Sequence, residues 1–166
     1  MKINYIGIVG GILAFISVAL SWWTFSASAG GISTSVDLYI YQTGTLYGTT
    51  TATWYTWSAL ALIIIGGLLG LVGSLTAMGK KVLIGGGVLA LLSIVIFAVG
   101  LQMDLSNVPV SGIGLFSSGS ISIGTISVSW STYLSYGFWL ALVAMILMFV
   151  GAMRAPTETA AAPQPT

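Results

Sequence analysis

Residues 58–102 read SALALIIIGGLLGLVGSLTAMGKKVLIGGGVLALLSIVIFAVGLQ. Two apolar runs, Ser58–Met78 and Val82–Gln102, flank the pair Lys80-Lys81. Each run has about the 20 apolar residues that a helix needs to cross hydrocarbon. Lipid-exposed backbone must satisfy its own hydrogen bonds, so such runs are expected to be helices. Two more runs qualify, Tyr5–Trp23 and Tyr133–Met153, and none of the four holds an ionisable side chain well inside it. Composition agrees: 57% of the chain is hydrophobic and 4% charged, against about 25% charged in soluble domains.

The basic residues orient this hairpin of spans. Lys2, Lys80, Lys81 and Arg154 precede span one, separate spans two and three, and follow span four. All four lie on one side, which the positive-inside rule makes the cytoplasm. The expectation is a multi-pass protein of the cell membrane with both termini cytoplasmic and two loops outside. Asp37 and Asp104 fall in the outer half. The six tryptophans, Trp22, Trp23, Trp54, Trp57, Trp130 and Trp139, sit at or beyond the outer span ends, where indole anchors at the interface. A competing reading takes Lys2, the first apolar run and Ala27-Ser28-Ala29 as a signal peptide with its cleavage site. Against it stand bulky Trp22, Trp23 and Phe25 ahead of the site, and the match of the first run to the third.

That match comes at a shift of 76. Gly10-Gly11-Ile12-Leu13-Ala14-Phe15-Ile16-Ser17 falls on Gly86-Gly87-Val88-Leu89-Ala90-Leu91-Leu92-Ser93. The same shift lays Gly48-Thr49-Thr50-Thr51-Ala52-Thr53-Trp54 on Gly124-Thr125-Ile126-Ser127-Val128-Ser129-Trp130. Beyond the tryptophans the register moves to 80, with Leu60-Ala61-Leu62 on Leu140-Ala141-Leu142. Chance matches among apolar helices are common, but a loop match at the same shift is not, and together they read as a duplication. Residues 1–78 form the first repeat, with outer loop 24–57. Residues 79–154 form the second, with outer loop 103–132. Repeats of one orientation are related by an axis along the membrane normal. Residues 155–166, rich in proline and small polar residues, read as a disordered cytoplasmic tail.

The loops are strand-prone. Val36–Tyr41, Thr49–Trp57 and Ile121–Trp130 are dense in β-branched and aromatic residues, with Gly44, Gly48, Gly119 and Gly124 as turn candidates. An isolated hairpin is marginal in water, so one outer sheet merging both loops is expected. The fold class is a four-transmembrane-helix bundle carrying a small extracellular β-sheet. Small residues four apart, Gly7 with Gly11, Gly66 with Gly70 and Gly86 with Ala90, lie on one helix face each and suit close helix packing within the bundle; a self-association face is the sharper alternative.

Reactive chemistry is sparse. Histidine and cysteine are absent, which removes thiolate chemistry and the commonest haem, zinc and copper ligands. Asp37 and Asp104 have no visible base, nucleophile or metal partner and read as a solvated turn residue and a helix-end residue. Met103, Met145, Met148 and Met153 read as adaptable packing, not a soft-metal site. No catalytic residue, metal or cofactor is expected, and a net charge of +1 points to no nucleic acid.

Four helices, cytoplasmic termini and an outer sheet give a chain whose architecture resembles the claudins and related tetraspan proteins. The resemblance is topological. Claudins carry a first-loop tryptophan signature with a cysteine pair; Trp54 compares only loosely and no cysteine exists. No functional residue is carried over. The duplicated, serine- and threonine-rich, cysteine-free pattern looks more like archaeal four-helix membrane proteins. The expected function is a non-enzymatic membrane scaffold or interaction protein. Its partners are the lipid bilayer and either other proteins or copies of itself, met through the outer loops. An accessory subunit of a larger membrane enzyme, or a small oligomeric channel, is the alternative.

Overall fold

A computed structural model describes residues 3–41, 54–76, 79–107 and 112–154. Gly44, Gly48, residues 49–53 and the tail 155–166 lie outside the described residues. In chain order the elements are α1 (Tyr5–Ala19), β1 (Ser21–Ala29), β2 (Ile32–Tyr39), α2 (Trp54–Leu75), α3 (Gly79–Ser106), β3 (Ser117–Ile123), β4 (Ile126–Leu134) and α4 (Tyr136–Arg154).

Three helices, α2, α3 and α4, are long and apolar enough to cross a membrane. The first span departs from its expected bounds of Tyr5–Trp23. Helix α1 has 15 residues, about 22 Å at 1.5 Å per residue. Asn4 caps it, accepting from the Gly7 backbone N–H at 3.1 Å and donating Nδ2 to the Gly151 carbonyl at 2.7 Å. It stops at Leu20, whose backbone is extended. The reason lies in the following residues: the Trp22 indole donates to the Ser17 carbonyl at 2.9 Å, and Leu20 N donates to the same oxygen at 3.3 Å. A carbonyl freed at the helix end is thereby satisfied, and the apolar Trp22 and Trp23 enter the core as strand.

The helices form a ring. α1 packs on α2 and α4, α3 packs on the same two, and α2 and α4 barely meet. Glycines set the approach. A Cβ on Gly66 would stand 2.9 Å from the Gly86 carbonyl oxygen, and one on Gly86 2.8 Å from that of Gly66. Gly11 stands equally close to Gly67, and Gly7 to Ser74 and Leu83. Gly70 sits against Gly11 and Met148, and Ala90 against Gly66. All six small residues singled out above therefore lie between helices of one chain. Buried hydroxyls find carbonyls: Ser17 donates to Ala14, Ser74 to Gly70, and Ser93 across to Ala59 of α2, at 2.6–2.7 Å. The outside of the ring is aliphatic, with Val9, Ile12 and Ile16 on α1, Ile65, Leu68 and Val72 on α2, and Val88, Val95 and Val99 on α3 all exposed.

The strands form one antiparallel sheet in the order β2-β1-β4-β3. A merged sheet is thus present, and the expected strand runs match it in part: Val36–Tyr39 lies in β2, Ile121–Ile123 in β3 and Ile126–Trp130 in β4. Strand β1 occupies residues assigned to span one and the loop after it. Trp54–Trp57 is helix. The run Ile121–Trp130 is broken by a hairpin at Gly124-Thr125, between the pair Ile123 and Ile126. Gly124 has φ +64° and Gly30-Gly31 of the first hairpin have φ +56° and +84°, the left-handed conformation of two-residue turns. Gly119 makes no turn; it lies within β3.

Glycines matched at the shift of 76 meet exchanged helices, whereas the strands do not follow that shift. Gly10 faces Ala144 and Met148 of α4, and Gly86 faces Gly66 and Gly70 of α2. Gly11 faces α2, and Gly87 faces Phe149 of α4. A two-fold exchanging α1 with α3 and α2 with α4 relates these contacts. Adding 76 to residues 21–29 of β1, however, gives 97–105, which is helix α3. The first hairpin follows the first helix of its half at once, whereas the second hairpin immediately precedes the last helix of its half. Residues of 1–78 and 79–154 share one core, since β1 pairs with β4 and one buried cluster draws on every helix.

Candidate interaction surface

The sheet grows out of the bundle at two junctions. β1 follows α1 after Leu20 alone, and β4 enters α4 through Ser135 alone. Ser135 N donates to the Trp22 carbonyl at 3.0 Å, and the Ser21 and Ser135 hydroxyls lie 2.8 Å apart. Pairing between β1 and β2 slips between Ser21 and Trp23. This irregularity turns two consecutive tryptophans inward, as a β-bulge does. Trp22 meets Phe97 edge-on at 5.0 Å and Phe138 at 6.0 Å. Gly137 has no Cβ because one would strike the Trp22 ring and the Leu20 carbonyl.

This corrects the expectation of six equivalent interfacial tryptophans. Trp22, Trp23 and Trp130 are buried, at 0%, 1% and 8% exposure, whereas Trp54, Trp57 and Trp139 are 64%, 53% and 48% exposed. The exposed three lie in the first turns of α2 and α4. Trp139 donates its indole N–H to the Leu134 carbonyl at 3.1 Å and lies beside Phe116. Neighbouring Tyr133 and Tyr136 are also exposed. Trp23 keeps its indole N–H buried with no hydrogen-bond partner.

Alternation along the strands gives the sheet two unlike faces. On one face Trp23, Leu38, Trp130 and Leu134 are buried, and all but Trp130 join a cluster with Leu101 and Leu105 of α3. Trp130 lies over Gly119, where a Cβ would come within 2.6 Å of its ring. Thr132 fastens the approach to β3: its hydroxyl donates to the Gly114 carbonyl at 2.8 Å and accepts from Ser117 N at 3.0 Å. Towards the hairpin tips this face is open, with Ile32, Val36 and Ile126 more than half exposed.

The opposite face is built of hydroxyls. Across the strands, Ser26 pairs with Ser35 and Ser131, and Ser131 with Ser118. In the next row Ser28 pairs with Ser33 and Ser129, and Ser129 with Ser120. Ser127 and Ser122 pair beyond them. The face has one ionisable carboxylate, Asp37, whose Oδ1 accepts from the Thr24 hydroxyl at 2.6 Å. A groove of about 300 Å3 is lined by Ser26, Ala27, Ser28, Ser33, Ser129, Trp130 and Ser131. Asp37 therefore serves as a cross-strand hydrogen-bond acceptor, and Asp104 is exposed in the last turn of α3. The two carboxylates lie on different elements and form no pair. Met148 is fully buried while Met103 and Met153 are exposed, so the methionines do not converge. Among the described residues no group of three or more acidic, histidine or cysteine side chains could hold a metal.

Among the described residues both sheet edges, β2 and β3, are unpaired. Neither contains lysine, arginine or proline, the usual guards of an edge. Comparison with protein-family profiles and with curated protein sequences finds no match. The serine face follows from the alternate serines of residues 26–35 and 118–131. The junction tryptophans had no such signal, because a tryptophan at a span end reads the same whether it turns out to lipid or in to the core.

Proposed function

We propose that this protein is a membrane scaffold whose outer sheet joins other polypeptides, copies of itself foremost, by strand addition. The observation that supports the reading is the pair of edges that hold no lysine, arginine or proline and are unpaired among the described residues. A free edge offers a row of backbone donors and acceptors to an incoming strand.

Membrane placement is part of the reading. Three helices of spanning length, an aliphatic exterior and an interior of glycine, alanine and serine support it. Lys80, Lys81 and Arg154 lie at helix ends away from the sheet, which by the positive-inside rule supports cytoplasmic termini and an outer sheet. The two-fold order of the helices supports an ancestral duplication of a helix pair, with the hairpins acquired or rearranged afterwards. A pore is less well supported, since backbones meet through glycines between the helices and the hydroxyls of Ser17, Ser74 and Ser93 are spent on backbone carbonyls.

The test places a lysine on each edge, Val36→Lys on β2 and Ile121→Lys on β3, both on the face opposite the serines. Lateral association of labelled protein in liposomes is read by energy transfer. The pair is expected to weaken association at least tenfold with the strand amides still protected from hydrogen exchange. Unchanged association in a folded variant would sink edge pairing.

A further inference from the structure

We propose that the serine face binds a neutral polyhydroxylated chain, a glycan free of carboxylate, sulfate or phosphate, in the groove over β1. The chemistry selects the class. Every serine hydroxyl can both donate and accept, as can every sugar hydroxyl. The spacing is regular, about 4.8 Å between strands and about 6.8 Å between alternate residues along one. Within the groove, Ser28 and Ser129 bond each other at 2.7 Å. Ser26, Ser33 and Ser131 have no side-chain hydrogen bond among the described residues, so three hydroxyls stand ready for a ligand. At about 300 Å3 the groove lies at the small end of ligand sites, suited to a short stretch of a thin chain.

Other occupants fit worse. An anionic chain finds no cation, because Lys80, Lys81 and Arg154 lie at the far ends of the helices, and Asp37 would repel it. A cation finds one carboxylate, already holding Thr24. Protein interfaces are depleted in serine and rely on aromatic and arginine anchors; the groove has no arginine, and its one aromatic residue, Trp130, is buried and belongs to the opposite face. Because Trp130 is buried, the groove offers no exposed stacking ring and binds weakly, with a Kd on the order of 1 mM. Many copies facing one long glycan convert that into firm attachment.

The inference uses the face and not the edges, so it stands or falls apart from strand addition. The test uses the full chain in lipid nanodiscs, which avoids sugar-headed detergents. Maltohexaose, cellohexaose and mannohexaose serve as probes and hexagalacturonate as the anionic control, read by saturation-transfer NMR of the sugar protons. At least one neutral probe is expected to bind with a Kd on the order of 1 mM, and the acidic control not at all. Ser26→Ala, Ser33→Ala and Ser131→Ala together should weaken binding more than tenfold, each hydroxyl contributing about fivefold. Ser118→Ala with Ser122→Ala, outside the groove, should leave it unchanged. Should the triple variant misfold, Ser33→Glu at the exposed rim is expected to abolish binding by itself. No transfer from any neutral probe at about 10 mM, equal binding by the folded triple variant, or preference for the acidic probe overturns the proposal.

Discussion

The bundle and the sheet are built on opposite plans. In the bundle, helices touch through absent side chains: Gly66 and Gly86 bring backbones together, and the large residues point outward. In the sheet, contact with the rest of the molecule runs through the largest side chains in the chain, Trp22 and Trp23, turned inward at one irregular step in β1. In the bundle, glycines 76 residues apart meet exchanged helices, Gly10 on α4 and Gly86 on α2, whereas the strands show no such exchange. Helix packing by small residues depends on local spacing, and a repeated spacing repeats the contact. Strand placement depends on where the chain leaves the helix, and one tryptophan capping a helix end moves that point.

The largest effect that would sharpen this contrast is at the junction. Trp22→Ala removes a fully buried indole, its contacts with Phe97 and Phe138, and the cap on Ser17. A loss of about 4 kcal/mol is expected. Hydrogen exchange read by mass spectrometry should show β1 and β4 opening while α2 and α3 stay protected. Simultaneous loss of both regions would mean that the sheet and the bundle are one cooperative unit. Next comes Gly86→Val. Its Cβ would meet the Gly66 carbonyl oxygen at 2.8 Å and Gly70 N at 3.1 Å, so α2 and α3 must part, at about 3 kcal/mol. Unfolding in SDS should shift by that amount, with the helices exposed first. A neutral result would place the bundle's stability elsewhere than in close backbone approach.

The smallest effect concerns acid. The four strands contain one carboxylate, Asp37, and no lysine or arginine. Acid unfolding acts through carboxylates that protonate and through the positive charge left behind. Between about pH 7 and about pH 2 the sheet's stability is expected to change by less than about 1 kcal/mol, followed by exchange protection of β1 and β4. A large loss at the lower pH would show that the Thr24–Asp37 hydrogen bond matters more to the sheet than its many neutral contacts do.

Much of this was legible in the residues. Apolar runs of spanning length, small residues four apart and basic residues confined to one side determine four helices, their packing faces and an expected orientation, because each property is local and repeats with the helix period. The hydroxyl-rich, charge-poor character of the outer part was equally plain. The tertiary structure alone decided which part of each loop is strand and which tryptophans are buried. Ser21–Trp23 is apolar and aromatic enough to continue a helix, and only Ser135, Phe97 and Phe138, more than seventy residues away in sequence, make extended backbone the better state there. The serine face needed the same long-range information. Alternate serines in residues 26–35 and 118–131 become one surface only when β1 pairs with β4, and that register is set where the chain leaves one helix and enters another.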